Sequence, residues 1–368
     1  KFAIENAIYF DIVHKVSSKI SMRYGFRINQ FLRLKQSSLN RYLNNNPVYF
    51  DQNLGIYKEA DIIGEFQNSN KSKTIKSFYN FEPRFNFSYN FNNQSIKASY
   101  NRLNQYIHLI SNTNAPAPLD VWAPSGPYLK PQKLDQCAFG YHSKLNNGNK
   151  LEIEVFYKKI KNRLDYINGA DLIANEAIER VLLPGKARAY GLEFLFKRNK
   201  GRHNYWIAYT ISKSQQKAVG RNINETGINM GNWYNTGYDK THDFSFVSNF
   251  KLNKKLTFNT NFIFQTGQPT NYPIGQYTYM DLTIPNYGAR NSNRLPNYHR
   301  LDISLTIDPN KNKKRDYKSE WVFGFYNIYD RDNANSITFR QNDKTLKNEA
   351  VQISIFGIVP SITYNFKF

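Results

Sequence analysis

Hydrophobic and polar residues alternate along much of this chain with a period of two. At the C-terminal end, Ile362, Tyr364, Phe366 and Phe368 share one face, and Ser361, Thr363, Asn365 and Lys367 share the other. Successive side chains of a β-strand point to opposite sides, so this segment predicts a strand with one apolar and one polar surface. The same pattern recurs in pairs of segments joined by short turns. Ala7 to Val16 leads into Ser17-Ser18, after which Ile20, Met22, Tyr24, Phe26 and Ile28 alternate with Ser21, Arg23, Gly25 and Arg27. Phe85, Phe87, Tyr89 and Phe91 reach a turn at Asn92-Asn93-Gln94, and Ile96, Ala98 and Tyr100 leave it. Further hairpins are expected at Asn146-Asn147-Gly148-Asn149, Asn199-Lys200-Gly201, Asn253-Lys254 and the basic run Lys311-Asn312-Lys313-Lys314-Arg315. Turn residues between alternating segments are the signature of such pairs.

Between the hairpins lie long connections: Lys35 to Ser77, Ser111 to Gln132, Asn168 to Lys186, Ser214 to Lys240, and Gly267 to Pro296. The second contains Pro116, Pro118, Pro124, Pro127 and Pro131, which suit a loop rather than a central strand. In the third, Ala174 to Leu182 has spacing that allows a short helix. It is brief and is followed by Pro184-Gly185, so it reads as part of its loop. Connections in compact domains have a median of about 4–6 residues, and a soluble up-and-down barrel or sandwich gives no reason for every second one to be long. Bacterial outer-membrane barrels do, with short periplasmic turns and longer loops outside. The expected fold is therefore all-β: a transmembrane antiparallel up-and-down β-barrel with an apolar outer face and a polar lumen that holds water or a plug. About thirteen strands are readable, whereas single-chain bacterial barrels have an even number. About nine more would give the 22 strands of the plugged outer-membrane transporters. The first residues already read as strand, with no signal peptide before them. The expectation is that residues 1–368 are the C-terminal part of such a barrel, and that its first strands lie outside this sequence.

Composition sharpens the picture. The chain has 27 Tyr and 27 Phe, and membrane barrels use such residues as girdles at both interfaces. Hydrophobic residues make up only 40%, as expected where apolar residues occupy alternate positions. No run of 18 apolar residues marks a transmembrane helix. The formal charge is +22. Lys and Arg are dispersed over turns and strands without a homeodomain, zinc-finger or RNP pattern, which argues against nucleic acid as a partner. Such a basic surface suits anionic lipid headgroups or an acidic ligand instead. The single cysteine, Cys137, forms no internal disulfide and reads as a small strand residue.

No catalytic motif is present: no phosphate loop, no Gly-x-Ser-x-Gly elbow and no His-Glu-x-x-His helix. The chain is not expected to be an enzyme, and no cofactor is implied. The six histidines lack ligand spacing. A metal at His242 with Asp239 and Asp243 is the nearest candidate, and a polar strand entry at the loop rim is the simpler reading. Glu152 and Glu154 share one side of a strand about 7 Å apart, which fits lumen charge better than acid–base chemistry. Trp122, Tyr128, Trp233, Tyr234 and Tyr238 fall in long loops. Aromatic rings there offer apolar area with a polar handle to a sugar or peptide, or anchor and pack the loops.

A set of segments carries a resemblance. They are Asn101-Arg102-Leu103-Asn104-Gln105-Tyr106-Ile107-His108-Leu109; Leu119-Asp120-Val121-Trp122-Ala123-Pro124-Ser125 with Tyr128-Leu129-Lys130-Pro131-Gln132; and Arg188-Ala189-Tyr190-Gly191-Leu192-Glu193. In order after them come Asp239-Lys240-Thr241-His242-Asp243, Gln265-Thr266-Gly267-Gln268-Pro269, Arg294-Leu295-Pro296-Asn297-Tyr298-His299-Arg300-Leu301-Asp302 and Asn327-Ile328-Tyr329-Asp330-Arg331. Together they resemble the C-terminal barrel of TonB-dependent outer-membrane receptors of the type common in Bacteroidota. The resemblance implies a bacterial outer-membrane location, an N-terminal plug on the same parent chain, a TonB complex that acts through that plug, and a surface lipoprotein as a further partner. It implies nutrient import, with iron chelates, cobalamin, glycans and peptides as ligand classes. It also implies that the aromatic end, Ile362 to Phe368, is the signal for barrel assembly. Neither plug nor TonB box is visible in this sequence. An accessory barrel in a lipoprotein or secretion complex, and a passive porin, are the alternatives.

Overall fold

The computed structural model describes residues 2–34, 39–65, 74–111, 120–173, 175–280, 282–309, 318–342, 344 and 348–367. The basic run at 311–315, Phe368, Pro116 and Pro118 lie outside the described residues.

One antiparallel sheet dominates. Its strands are β1 (Ala3–Lys15), β2 (Ile20–Leu34), β3 (Thr74–Phe91), β4 (Gln94–Gln105), β5 (Gln132–Lys144), β6 (Asn149–Tyr166), β7 (Leu182–Arg198), β8 (His203–Lys217), β9 (His242–Lys251), β10 (Leu256–Gln265), β11 (Tyr298–Ile307), β12 (Lys318–Tyr326) and β13 (Val359–Lys367). Each pairs with the next in chain order, and the two-residue strand Tyr234–Asn235 beside β8 brings the sheet to 14 strands. The short turns join β1–β2, β3–β4, β5–β6, β7–β8 and β9–β10, so they share one end of the sheet, and the long connections share the other.

Register keeps the two faces distinct. Across the sheet, Ile12 faces Tyr24, Tyr24 faces Phe85 and Phe85 faces Tyr100. The row continues through Cys137, Tyr157 and Tyr190. Further along, Tyr209 faces Phe244, Phe244 faces Phe264, Ile303 faces Phe325 and Phe323 faces Ile362. A one-residue slip anywhere would carry polar side chains onto this face. Many of its residues are open to the surroundings: Ile8 is 77% exposed, Phe139 55% and Ile362 68%. An apolar surface of this extent suits lipid, since water-soluble monomers rarely expose contiguous apolar patches beyond a few hundred Å². The opposite face carries Arg23 against Asp11 at 2.7 Å and Arg27 against Glu5 at 2.8 Å.

Three features add to the sequence reading. The sheet is open rather than closed: among the described residues β1 and β13 each have a strand neighbour on one side only. Closure needs strands along those two edges. Second, β3 and β6 run 18 residues, whereas about 9–11 suffice to cross a bilayer. These strands continue beyond the apolar band at the long-loop end, where alternation no longer marks them. Third, the connection expected at Asn168–Lys186 is shorter: a 3-10 turn at Ile178–Val181 leads straight into β7, and Pro184 and Gly185 lie within the strand. Pairing there follows a register shift between Lys161 and Arg163, where Asn162 has φ 56°. Proline is tolerated in strands near such bulges.

Candidate functional site

The long connections fold onto one another. Among the described residues they contain six two-stranded sheets, including Val48–Asp51 with Ile56–Glu59 and Ile107–Ile110 with Val121–Pro124. An isolated hairpin is marginal, and the two named share a buried core instead. Val48, Phe50 and Tyr57 pack with Ile110, Ala123 and Leu129, with Ile178 and Val181, and with Ile228 and Tyr234. Ile178 and Val181 are fully buried.

Charged groups tie the same connections together. The Arg290 guanidinium donates to Asp165 at 2.7 Å, to the Tyr166 carbonyl at 2.8 Å and to Asn168 at 2.7 Å, and it lies 4.3 Å from the Tyr166 ring centre. Asp165 also accepts from Gln216 at 3.1 Å and from the Tyr234 hydroxyl. Burial, with the charge of Asp165 alongside, pushes the Tyr234 hydroxyl up from its ordinary pKa. Arg221 grips Glu225 at 2.7 Å and donates to the Val48 carbonyl at 2.8 Å. Burial opposes the Glu225 charge, but hydrogen bonds from Arg221 outweigh it and hold the carboxyl below its usual range. His108 is buried between Ser125 Oγ and Gln132 Nε2, each at 3.0 Å. The amide can only donate to Nδ1, so the ring is neutral with its proton on Nε2. Burial, helped by the charge of Arg163, brings its pKa down to about 4.

A second cluster lies where β9, β10, β11 and β12 meet the loops, and four segments singled out in the sequence converge on it. Arg294 binds Asp239, whose side chain is fully buried, and donates to the Gly267 carbonyl at 2.8 Å. The Gly267 N–H donates to Asn297 at 3.1 Å, and the Leu295 N–H donates to the Gln268 carbonyl at 2.9 Å. A Cβ on Gly267 would lie 1.7 Å from the Leu295 carbonyl oxygen, so only glycine allows this approach. Asn327 donates from its backbone to Asp302 at 2.9 Å and from its side chain to the Arg331 carbonyl at 3.0 Å. Around this cluster is a cavity of about 380 Å³, with Lys240, Gln265, Tyr298 and Tyr326 on its polar side and Leu295, Ile355 and Phe356 on its apolar side. Arg300 donates to Tyr298 at 3.0 Å and Tyr326 at 2.8 Å, which fixes both phenols at the rim. A second cavity of about 470 Å³ opens beside Val48, Phe50, Ile63 and Arg221. Both volumes fall within the range of small-molecule sites.

The structure disperses the five loop aromatics. Trp122 is 61% exposed and Tyr238 55% exposed. The Tyr128 hydroxyl donates to the Asn40 carbonyl at 2.9 Å, and its ring packs edge-on against Tyr42. Trp233 lies 4.2 Å from the Arg188 guanidinium. Tyr234 is buried on Asp165 and offers no surface to a ligand. None of the five lines either cavity. Asp239, His242 and Asp243 are turned to separate partners: Asp239 to Arg294, His242 to the Tyr209 hydroxyl at 2.8 Å, and Asp243 to Gln265 at 3.0 Å. Glu152 approaches His142 at 3.7 Å on the polar face. Sequence reading missed Asp165 and Arg290, which are 125 positions apart and carry no local signal.

Comparison with known proteins adds the following. A family model described as TonB-dependent receptor-like β-barrel matches residues 24–329. No curated protein matches the sequence. Among solved structures, the ferric-catecholate import receptor Fiu of E. coli K12 is similar at 13% identity, with 99% of this chain and 44% of that one covered and a TM-score of 0.58. The ferric yersiniabactin uptake receptor FyuA of Yersinia pestis gives 14% identity, coverage of 100% and 46%, and a TM-score of 0.59. The FrpB iron transporter of Neisseria meningitidis gives 11% identity, coverage of 99% and 45%, and a TM-score of 0.56. At these identities the likeness is one of fold, and the chain spans less than half the length of each.

Proposed function

Because this chain belongs to the TonB-dependent receptor-like β-barrel family, we propose that it supplies part of the wall and the extracellular loops of a bacterial outer-membrane receptor that imports a scarce nutrient. The observation that carries this reading is the pairing of an apolar wall with loops packed into an ordered cap at one end only. A passive pore needs no shared core among its loops, whereas a receptor that captures ligand gains from loops already fixed in place. The polar face, with its Arg–Asp and Arg–Glu pairs, would meet water or a plug. The plug and the remaining wall strands would come from the same parent chain, along with the contact to the TonB complex. A surface lipoprotein and the Bacteroidota type rest on the sequence resemblance.

In this reading the loops take up ligand, the rim cavity at Lys240, Tyr298 and Tyr326 receives it on the lumen side, and movement of the plug lets it pass. Two of the named neighbours are receptors for ferric chelates and the third is an iron transporter, so ferric chelates are the first class to test, followed by glycans and peptides. The test is growth of a strain deleted for this gene, beside a strain without TonB, on single sources of each class. The expected result is that both strains fail on the same source and grow on the rest. Wild-type growth of the deletion strain on every source would overturn the reading.

A further inference from the structure

The apolar face ends, at the long-loop side, in rows of cations confined to adjacent strands. Register sets Lys133 of β5 opposite Lys161 of β6, Lys161 opposite Lys186 of β7, and Lys186 opposite Lys217 of β8. The row beneath pairs Asp135 with Lys159 and Lys159 with Arg188. Below that come Cys137, Tyr157 and Tyr190, with Lys213 opposite Tyr190, and then Phe139, Val155, Leu192 and Ile211. Side-chain parity places all four rows on the apolar face. Towards that side the apolar columns of β2, β3, β9 and β11 carry uncharged or weakly basic residues, Gln30, Tyr79, His242 and His299 among them, and on β4 Arg102 stands opposite Asp135.

Like charges directly opposite on a sheet are destabilising, and here four lysines stand in line. Asp135 is the one carboxylate in these rows, and it is taken by Arg102 at 2.6 Å. The arrangement therefore lacks the anions that would balance it. Its height says where they come from. Eight residues separate Leu151, near the short turn, from Lys159; at about 3.3 Å each and a tilt of about 35–45° they climb roughly 20 Å, close to the ~25 Å apolar band of such barrels. The cations thus stand at headgroup level above a column that accepts acyl chains. Trp233, 4.2 Å from Arg188, sits on the same face beside β8, as aromatic residues do at membrane interfaces.

We propose that Lys133, Lys159, Lys161, Lys186, Arg188 and Lys217 form a docking site for a phosphorylated lipid of the outer leaflet. Its phosphates lie between the lysine rows, and its chains run down past Tyr157, Val155 and Leu192. The proposal rests on the membrane placement given above.

The test uses the full-length protein in nanodiscs of zwitterionic phospholipid doped with bis-phosphorylated lipid A or its dephosphorylated form, with bound lipid read by native mass spectrometry. The wild type is expected to retain the phosphorylated form preferentially. K159Q/K161Q/K186Q should weaken that retention on the order of 100-fold, since each basic residue near an anionic lipid surface contributes about fivefold. K144Q/K150Q/K200Q, the same charge change at the short-turn end, should retain the lipid as wild type does. Equal retention of both lipid forms, equal loss in both triple variants, or displacement by inorganic phosphate alone would each overturn the proposal. Failure of the wild type to enter nanodiscs would overturn the membrane placement, and the docking site with it. Entry without phosphate preference overturns the docking site alone.

Discussion

Arg290 is the group on which the loop cap should depend most. Its side chain is 7% exposed, and that of its partner Asp165 5%. It joins the connection after β10 to the end of β6, 125 positions away. Arg290→Ala removes bonds to Asp165, the Tyr166 carbonyl and Asn168, along with the stack on Tyr166. Asp165 keeps Gln216 and Tyr234 as donors, so the carboxylate stays hydrogen-bonded but loses its counter-charge. Breaking a buried pair by deleting one partner costs about 3–5 kcal/mol. The retained donors place this case at the lower end, about 3 kcal/mol, or roughly a 100-fold rise in local opening.

The assay is native-state hydrogen exchange on the protein in detergent. Amides at 165–172 and 228–235 should exchange faster in Arg290→Ala by that factor, while those at 190–211 in the wall keep wild-type rates. Arg290→Lys keeps the charge but loses the planar fork, and should fall between. Asp165→Asn combined with Arg290→Ala should cost less than the sum of the two, because no lone charge is left buried. Unchanged exchange in the cap would refute the assignment of this pair as its clamp. Equal acceleration in the wall would show that cap and wall open as one unit.

Two further outcomes follow from the same geometry. Leu192→Arg puts a cation in the middle of the apolar face and should cost about 2–4 kcal/mol of assembled barrel, whereas Glu193→Arg, one residue on and opposite Glu154, should assemble normally; outer-membrane yields of the two would decide, and equal yields would show that the faces are wrongly assigned. The His108 ring, held neutral with its pKa at about 4 against about 6.5 when unfolded, binds fewer protons folded than unfolded between those values. Stability of the cap should therefore fall as pH drops from 6.5 towards 4, by up to about 3 kcal/mol, and level off below; denaturation of wild type and His108→Gln at pH 7 and pH 4.5 would test it, with an identical pH response as the contrary result.

What the sequence showed of this fold, and what it hid, divides along one physical line. Within the apolar band each strand faces two solvents, and the constraint acts on every residue, so Ile20 to Ile28 or Leu151 to Tyr157 can be read from alternation alone. Above the band that constraint ends. The upper parts of β6 and β7 keep their pairing, but their outward residues are Lys159, Lys161, Lys186 and Arg188, and the apolar half of the period-two signal is lost to charge. Pro184 then looks like a stop when it lies inside a strand. The loop core was hidden for another reason. Val48, Ile110, Ile178 and Ile228 lie in short apolar stretches of four different connections, and only their meeting in space makes them a core. The aromatics of the loops stood out by type, yet Tyr234 is spent on Asp165 and Trp233 on Arg188.

The motifs that carried the family resemblance have a structural reason to lie where they do. A wall strand can vary freely in sequence as long as its parity holds. The entry of a strand into a loop cannot, because the backbone leaves the ladder there and its N–H and C=O groups need new partners. At the rim of β9 to β12 those partners come from neighbouring strand ends. Arg294 caps the Gly267 carbonyl, Asn297 takes the Gly267 N–H, Thr266 takes the His242 N–H at 3.0 Å, and Asp302 takes the Asn327 N–H. Each motif thus closes the open end of the next, and a single rim strand end cannot be rebuilt without its neighbour. The rim cavity inherits this rigidity: Tyr298 and Tyr326 are held by one guanidinium, that of Arg300, which is itself fixed by Asp302 at 2.9 Å. A ligand arriving there would meet phenols and an amine already set in place, on the polar side of the sheet and directly below the loops that would deliver it.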